Sequence, residues 1–316
     1  MFDTVLKVVG SCGLAGSVLL VARAHTAIKP TALLAAWYWS MFALFLWSAG
    51  WILDVLLALL DPPAADQLWY AVSIVPLGSL VAVLGARKPG LWVWSGFVIL
   101  PLLIVLELPA VSAWSGWVPS LRLQLETPPL IGCLLVLIMG AGNYFGTRFT
   151  GAATFLASAV VLLVIPASTA GQGIFPTPER GRLFATLLLG LAALTAARPA
   201  STGPQAGHFQ RIWLDFRDWF GIVWAKRVQD RMNEAAANEQ WPCRLEMHGF
   251  VALNSTSKPD DEAVCATSDR IKHTFHWILR RFAEPEWIEE RLPLPQKTRP
   301  EPTAGSVKQG QADDDV

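Results

Sequence analysis

Charged residues are scarce in this chain. They make up 16% of its 316 residues, against 53% hydrophobic, where a soluble domain carries about a quarter charged. With a mean hydropathy of +0.40, this shortage excludes an ordinary soluble fold and points to a bilayer. The 25 basic and 25 acidic side chains cancel, so the positive field that nucleic-acid binding draws on is missing and no nucleic-acid partner is expected. Cysteine is also rare: Cys12, Cys133, Cys243 and Cys265 form no CxxC pair and no zinc-like spacing with His. The first two lie in apolar runs, where a thiol behaves as a small hydrophobe, and no disulfide framework is expected.

Only five histidines are present, His25, His208, His248, His273 and His276. None falls within an apolar run, which excludes paired axial haem ligation in the membrane. His273 and His276 share a helix face, yet no Cys or carboxylate completes a tetrahedral metal set, so a solvated face is the better reading. The last apolar run has no lysine for a retinal Schiff base, and the chain has no GxSxG, HExxH or P-loop pattern. No catalytic residue, cofactor or metal is expected, and the enzyme class is disfavoured.

What is plentiful is apolar sequence in long runs. A helix needs about 20 mostly apolar residues to cross the hydrocarbon core, and seven runs qualify: Val5 to Ala22, Thr31 to Trp51 (extending toward Leu60), Trp69 to Ala86, Leu91 to Leu106, Pro129 to Gly146, Gly151 to Ser168 and Leu183 to Ala197. The last is short. The first competes with a signal peptide, since VARA at Val21 to Ala24 resembles a cleavage site, but only Lys7 precedes it and an uncleaved helix is favoured. GAGNYFG, Gly140 to Gly146, lies at a span's end, and Gly142 with Gly146 reads as close helix packing.

Short-loop basic residues set orientation. Arg23, Lys29, Arg87, Lys88, Arg148 and Arg198 fall on one side, with Lys7, Arg122, Arg180 and Arg182 on the other. This expects a plasma-membrane protein with its N-terminus outside and its C-terminus cytoplasmic, Arg180 and Arg182 being the opposing evidence. Trp37, Trp39, Trp92 and Trp94 mark one headgroup layer, and Trp47, Trp51 and Trp69 the other. Pro109 to Leu121 reads as a short interfacial helix on the outer face.

Beyond Ala197 the chain turns polar, with 16 basic and 18 acidic residues after nine and seven before. The expected division is a transmembrane helical domain at 1–198, a linker at 199–207, a small cytoplasmic α+β domain at 208–291 and a disordered tail at 292–316. The fold class is thus an all-α polytopic membrane protein of about seven transmembrane helices with that α+β domain attached. The domain reads as a helix from Phe209 to Ala237, one strand in CRLEMHGFVAL, and a second helix from Asp269 to Phe282 capped by Thr267 or Ser268. On the first helix Phe209, Ile212, Trp213, Phe216, Trp219, Phe220, Val223 and Trp224 form one apolar stripe, which ends there. It reads as the core of the small domain, as a membrane anchor or as a partner-binding face. A single strand leaves its backbone groups unpaired, which favours completion by association, as a homo-oligomer ahead of a different protein.

Ionisable groups in spans are functional by default. Asp54 and Glu107 near the outer helix ends, with Arg122 in an outer loop, form the expected polar site, and Asn143 is a weaker polar candidate. The leading functional reading is a multi-pass membrane scaffold or signal-coupling subunit whose cytoplasmic domain docks a partner. The first alternative is a transporter or transporter subunit with its site near Asp54 and Glu107. The second is a membrane-embedded lipid-modifying enzyme with those carboxylates as acid and base.

Overall fold

The computed structural model describes residues 2–60, 62–87, 91–114, 123–169, 171, 177–198, 208–253 and 269–292. Each apolar run is helical, because a segment without water must satisfy its backbone internally. The helices are α1 (Phe2–Ile28), α2 (Leu34–Leu60), α3 (Pro62–Leu84), α4 (Leu91–Trp94), which passes through a π-helical turn (Ser95–Ile99) into α5 (Leu100–Trp114), then α6 (Thr127–Gly142), α7 (Thr150–Val164) and α8 (Pro178–Ala196). Among the described residues four stretches are long and apolar enough to cross a membrane: Lys7–Ile28, Leu34–Asp54, Ala64–Leu84 and Thr150–Ala167. Ser95–Val111 and Thr127–Gly142 are shorter apolar helices. Because α1 runs to Ile28, His25 sits in its last turn, not in a loop as the sequence suggested.

Five of these helices make a ring. α1, α2, α3, α7 and α8 pack in that order and close back onto α1. α5 and α6 lean on the outer side of α3, so α3 is interior on all sides and Val72, Ser73, Ile74 and Leu77 have no exposed surface. The outer faces are the reverse: Phe45, Ile52, Phe97, Leu135 and Ile138 are each more than 60% exposed. So much bare apolar surface suits lipid and not water. Close approaches rest on glycine: a Cβ on Gly190 would lie 3.1 Å from the Gly13 Cα, and one on Gly140 would lie 2.6 Å from the Leu80 Cβ. Gly142 and Gly146, the pair expected to pack tightly, have open space around them.

The C-terminal unit consists of α9 (His208–Asn238), β1 (Cys243–Glu246), β2 (Gly249–Ala252), α10 (Asp269–Leu279) and α11 (Pro285–Arg291). β1 and β2 form an antiparallel hairpin, pairing Cys243 with Ala252 and Glu246 with Gly249. The sequence was read as one strand because Cys243, Leu245 and Met247 alternate. The chain in fact reverses at Met247 and His248, and Gly249 has a φ of 140° that suits glycine. The missing companion strand is therefore the next stretch of the same chain, and the backbone argument for association falls. Cys243 is disulfide-bonded, against expectation. α11 was not foreseen, although Pro285 in its first turn is a helix-start signal. The expected linker, helix cap, the end of the Pro109 to Leu121 segment and the expected tail beyond Leu292 lie outside the described residues, while Leu292 itself is buried.

The aromatic stripe is interior. Phe209, Ile212, Trp213, Phe216 and Phe220 are at most 1% exposed and Trp224 is 8% exposed. Phe216, Phe220 and Trp224 each set a ring edge against Phe282, at centroid distances of 5.0, 5.4 and 5.0 Å. Trp219 is half-buried against Trp287. Most of the stripe is thus part of a core. It does not end at Trp224: Ala225, Val228, Met232 and Ala236 continue it, while Val223 turns out to the surface. This core merges with that of the helical bundle into one cluster.

Candidate functional site

The two ends of the bundle have different chemistry. The end holding the α2–α3, α5–α6 and α7–α8 connections, the carboxylate end, contains an ion cluster. Arg182 in the second turn of α8 donates through Nη1 to Asp54 Oδ1 at 2.5 Å and through Nη2 to Asp66 Oδ1 at 2.9 Å. The Arg182 and Asp54 side chains are 11% and 12% exposed. Above them Thr186 Oγ1 accepts from the indoles of Trp47 at 2.9 Å and Trp51 at 3.1 Å, and Arg182 lies 5.3 Å over the Trp69 ring. Trp47 and Trp69, expected at the headgroup level, are instead interior.

Asp54 therefore has a partner, but it is Arg182, not the expected Arg122. Arg122 lies outside the described residues. Glu107 belongs to a different neighbourhood. It sits on α5 next to Leu106, whose carbonyl accepts from the Tyr70 hydroxyl at 2.7 Å, and its buried Oε1 has no hydrogen-bond partner. No described interaction joins Glu107 to Asp54. Among the described residues no group of His, Cys, Asp and Glu is placed to hold a metal.

The opposite end, the docking end, receives the C-terminal unit at three loops. The α1–α2 turn pairs with the segment after α10: Ala32 N donates to Phe282 O at 2.6 Å, and Glu284 N donates to Pro30 O at 2.7 Å. At the end of α3, Val83 O accepts from the Trp224 indole at 2.9 Å. The third contact, at the α6–α7 turn, is the most specific. Gly221 interrupts α9 with φ 78° and ψ 175°, a region open only to glycine. Asn143 fills the break: its Oδ1 accepts from Val223 N at 3.0 Å, its Nδ2 donates to Phe220 O at 3.2 Å, and its carbonyl accepts from Ile222 N at 2.8 Å. One residue thus takes up backbone groups on both sides of the kink.

No protein-family model matches the chain, and no curated protein or solved structure matches it. Its chemistry rests on its own geometry.

Beside that joint, Asp218 is buried and held by Arg217 through Nε at 3.1 Å and Nη2 at 2.9 Å. Arg148 donates its backbone N–H to Asp218 Oδ1 at 3.4 Å, while its guanidinium reaches Asp218 Oδ2 through Nε at 3.8 Å and stacks 4.6 Å over the Phe149 ring. Burial pushes the Asp215 carboxyl up, and Arg291 and Arg148 pull it back. Sequence reasoning chose Asp54 and Asn143 but not their partners. Arg182 was counted as a loop charge, and Gly221 stood inside an unbroken helical pattern.

Proposed function

We propose that this protein is a multi-pass membrane coupling subunit, in which the C-terminal unit at 208–291 is held to the end of a seven-span bundle and changes with it. The supporting observation is the Asn143–Gly221 joint, because a backbone break filled by a side chain from the bundle ties the two parts through single atoms. A partner protein would read the outer face of the unit. Trp277 on α10 is 56% exposed with Arg281 stacked 5.0 Å above it, and Trp and Arg are the residue types that dominate interfaces. The test is to purify intact protein and Trp277→Ala in mild detergent. Loss of a co-purifying protein from the variant supports the reading, and a monodisperse monomer with nothing bound to the parent counts against it.

The three helical stretches beyond the four long ones complete the seven spans. We place the docking end in the cytoplasm of a cell with a plasma membrane, N-terminus outside. The basic residues Arg23, Lys29, Arg87, Arg148 and Arg198 belong to that end, while Arg182 and Lys7 at the other end are ion-paired with Asp54, Asp66 and Glu179 and weigh less as topology signals. The disulfide at Cys243 pulls the other way, since such bonds persist in oxidising compartments. Labelling of a cysteine placed at the exposed Glu239 in sealed right-side-out vesicles decides it: no labelling supports the cytoplasmic placement, and labelling reverses it.

A transporter is the second reading, favoured by the Arg182–Asp54–Asp66 cluster within the spans. Loss of uptake in Asp54→Asn with assembly intact would favour it over coupling.

A further inference from the structure

The five-helix ring encloses a cavity of about 450 Å³, within the range of roughly 300–1,000 Å³ typical of ligand pockets. Its floor is Trp47, held by Thr186 above the ion cluster. Its walls are alanine-rich on α7 and α8, including Ala153, Ala192 and Ala193. At the docking end its lining includes Tyr144, Arg148 and Trp219. Among the described residues Arg148 is the single charged one in the lining.

Water is a poor filler for this space. A buried water needs two to four polar partners, and the polar side chains of the wall already have partners in the helices. Ser17 donates to Gly13 O, Ser40 to Ala36 O and Ser79 to Pro76 O, while the Trp37 indole donates to Val21 O. What remains is an apolar space with a cation and two amphipathic rings at its docking end. Arg217 holds Asp218 by two bonds, so Arg148, at 3.8 Å, is left with its Nη1 and Nη2 unengaged among the described residues. A guanidinium in that position matches a phosphate oxygen pair.

We propose that the ring binds one anionic phospholipid, with an acyl chain between α1, α2, α3, α7 and α8 and its phosphate on Arg148. The site rests on the ring's membrane placement and is independent of the coupling role.

The intact protein, exchanged into detergent with phosphatidylglycerol, phosphatidylcholine or palmitate, is examined by native mass spectrometry. The expected result is one retained phosphatidylglycerol, retention at least tenfold weaker for phosphatidylcholine, and loss of that preference in Arg148→Gln. Ala153→Leu with Ala193→Leu should abolish retention while melting as the parent does. As a check that needs no variant, phosphatidylglycerol carrying a diazirine at the chain end should label the α2 stretch around Ser40 to Trp47 from within, and α8 around Leu189. No retained lipid, equal retention by the filled variant, retention of palmitate alone, or labelling confined to outward residues such as Ile52 would overturn the proposal.

Discussion

Asn143 and Gly221 show how much of the assembly can hang on one residue pair. A Cβ on Gly221 would lie within the space of the Asn143 side chain and carbonyl, so Gly221→Ala must displace the joint as well as strain the backbone. Asn143→Ala leaves two backbone groups, Val223 N–H and Phe220 C=O, without their side-chain partners, at about 1–3 kcal/mol for each one that stays buried. Both variants should release the C-terminal unit to limited proteolysis while α1–α8 remain resistant. Arg182 is a second such residue. Arg182→Met removes the guanidinium from the buried Asp54 carboxylate and should cost about 3–5 kcal/mol in thermal stability, whereas Asp54→Asn, Asp66→Asn and Arg182→Met together should recover most of it. A triple variant no more stable than the single one would show that the cluster's worth lies elsewhere.

His276 adds a pH dependence. It is buried with Nε2 unpartnered, and burial together with Arg280 lowers its pKa from the ordinary 6.5. The unfolded chain therefore binds a proton at higher pH than the folded unit does. Stability is full above the unfolded value and falls as pH drops below it. Melting of the C-terminal unit between about pH 7.5 and 5.5 should show this decline, and His276→Gln should flatten it.

At the level of elements, the sequence was most legible where one physical rule dominates. Apolar runs such as Thr31 to Trp51 must be helical in a bilayer, and that run stands largely within α2, Leu34–Leu60, as a helix long and apolar enough to span. The stripe from Phe209 to Trp224 was legible as a face but not as to what covers it, because Phe282 and the α3 end at Val83 are distant in sequence. The α9 kink was hidden since Gly221 is an ordinary-looking residue until Asn143 meets it. The hairpin was hidden because Met247 continues the period-two alternation past the point where the chain turns. Shortening the hairpin should therefore unsettle α9, whose Gln229 and Asn233 donate to Leu245 O at 3.0 and 2.9 Å, and circular dichroism should show helix lost beyond the deleted strands.

For the whole molecule, the candidate site is the part the sequence revealed least. Asp54 and Glu107 looked like one site by position along their helices, yet rotation about those helices sends one to Arg182 and the other toward Tyr70. The ring with its capped floor depends on which five of the helices meet, and no local pattern encodes that. The account's central claim is that bundle and C-terminal unit share one core and respond together. Hydrogen exchange of the intact protein and of Asn143→Ala tests it most directly. The account predicts faster exchange in the variant at Ile222 and Val223 and also, at a distance, at Ala32 and Glu284 where the α1–α2 turn meets the unit. Exchange that rises only at Ile222 and Val223, with Ala32 and Glu284 unchanged, would contradict it.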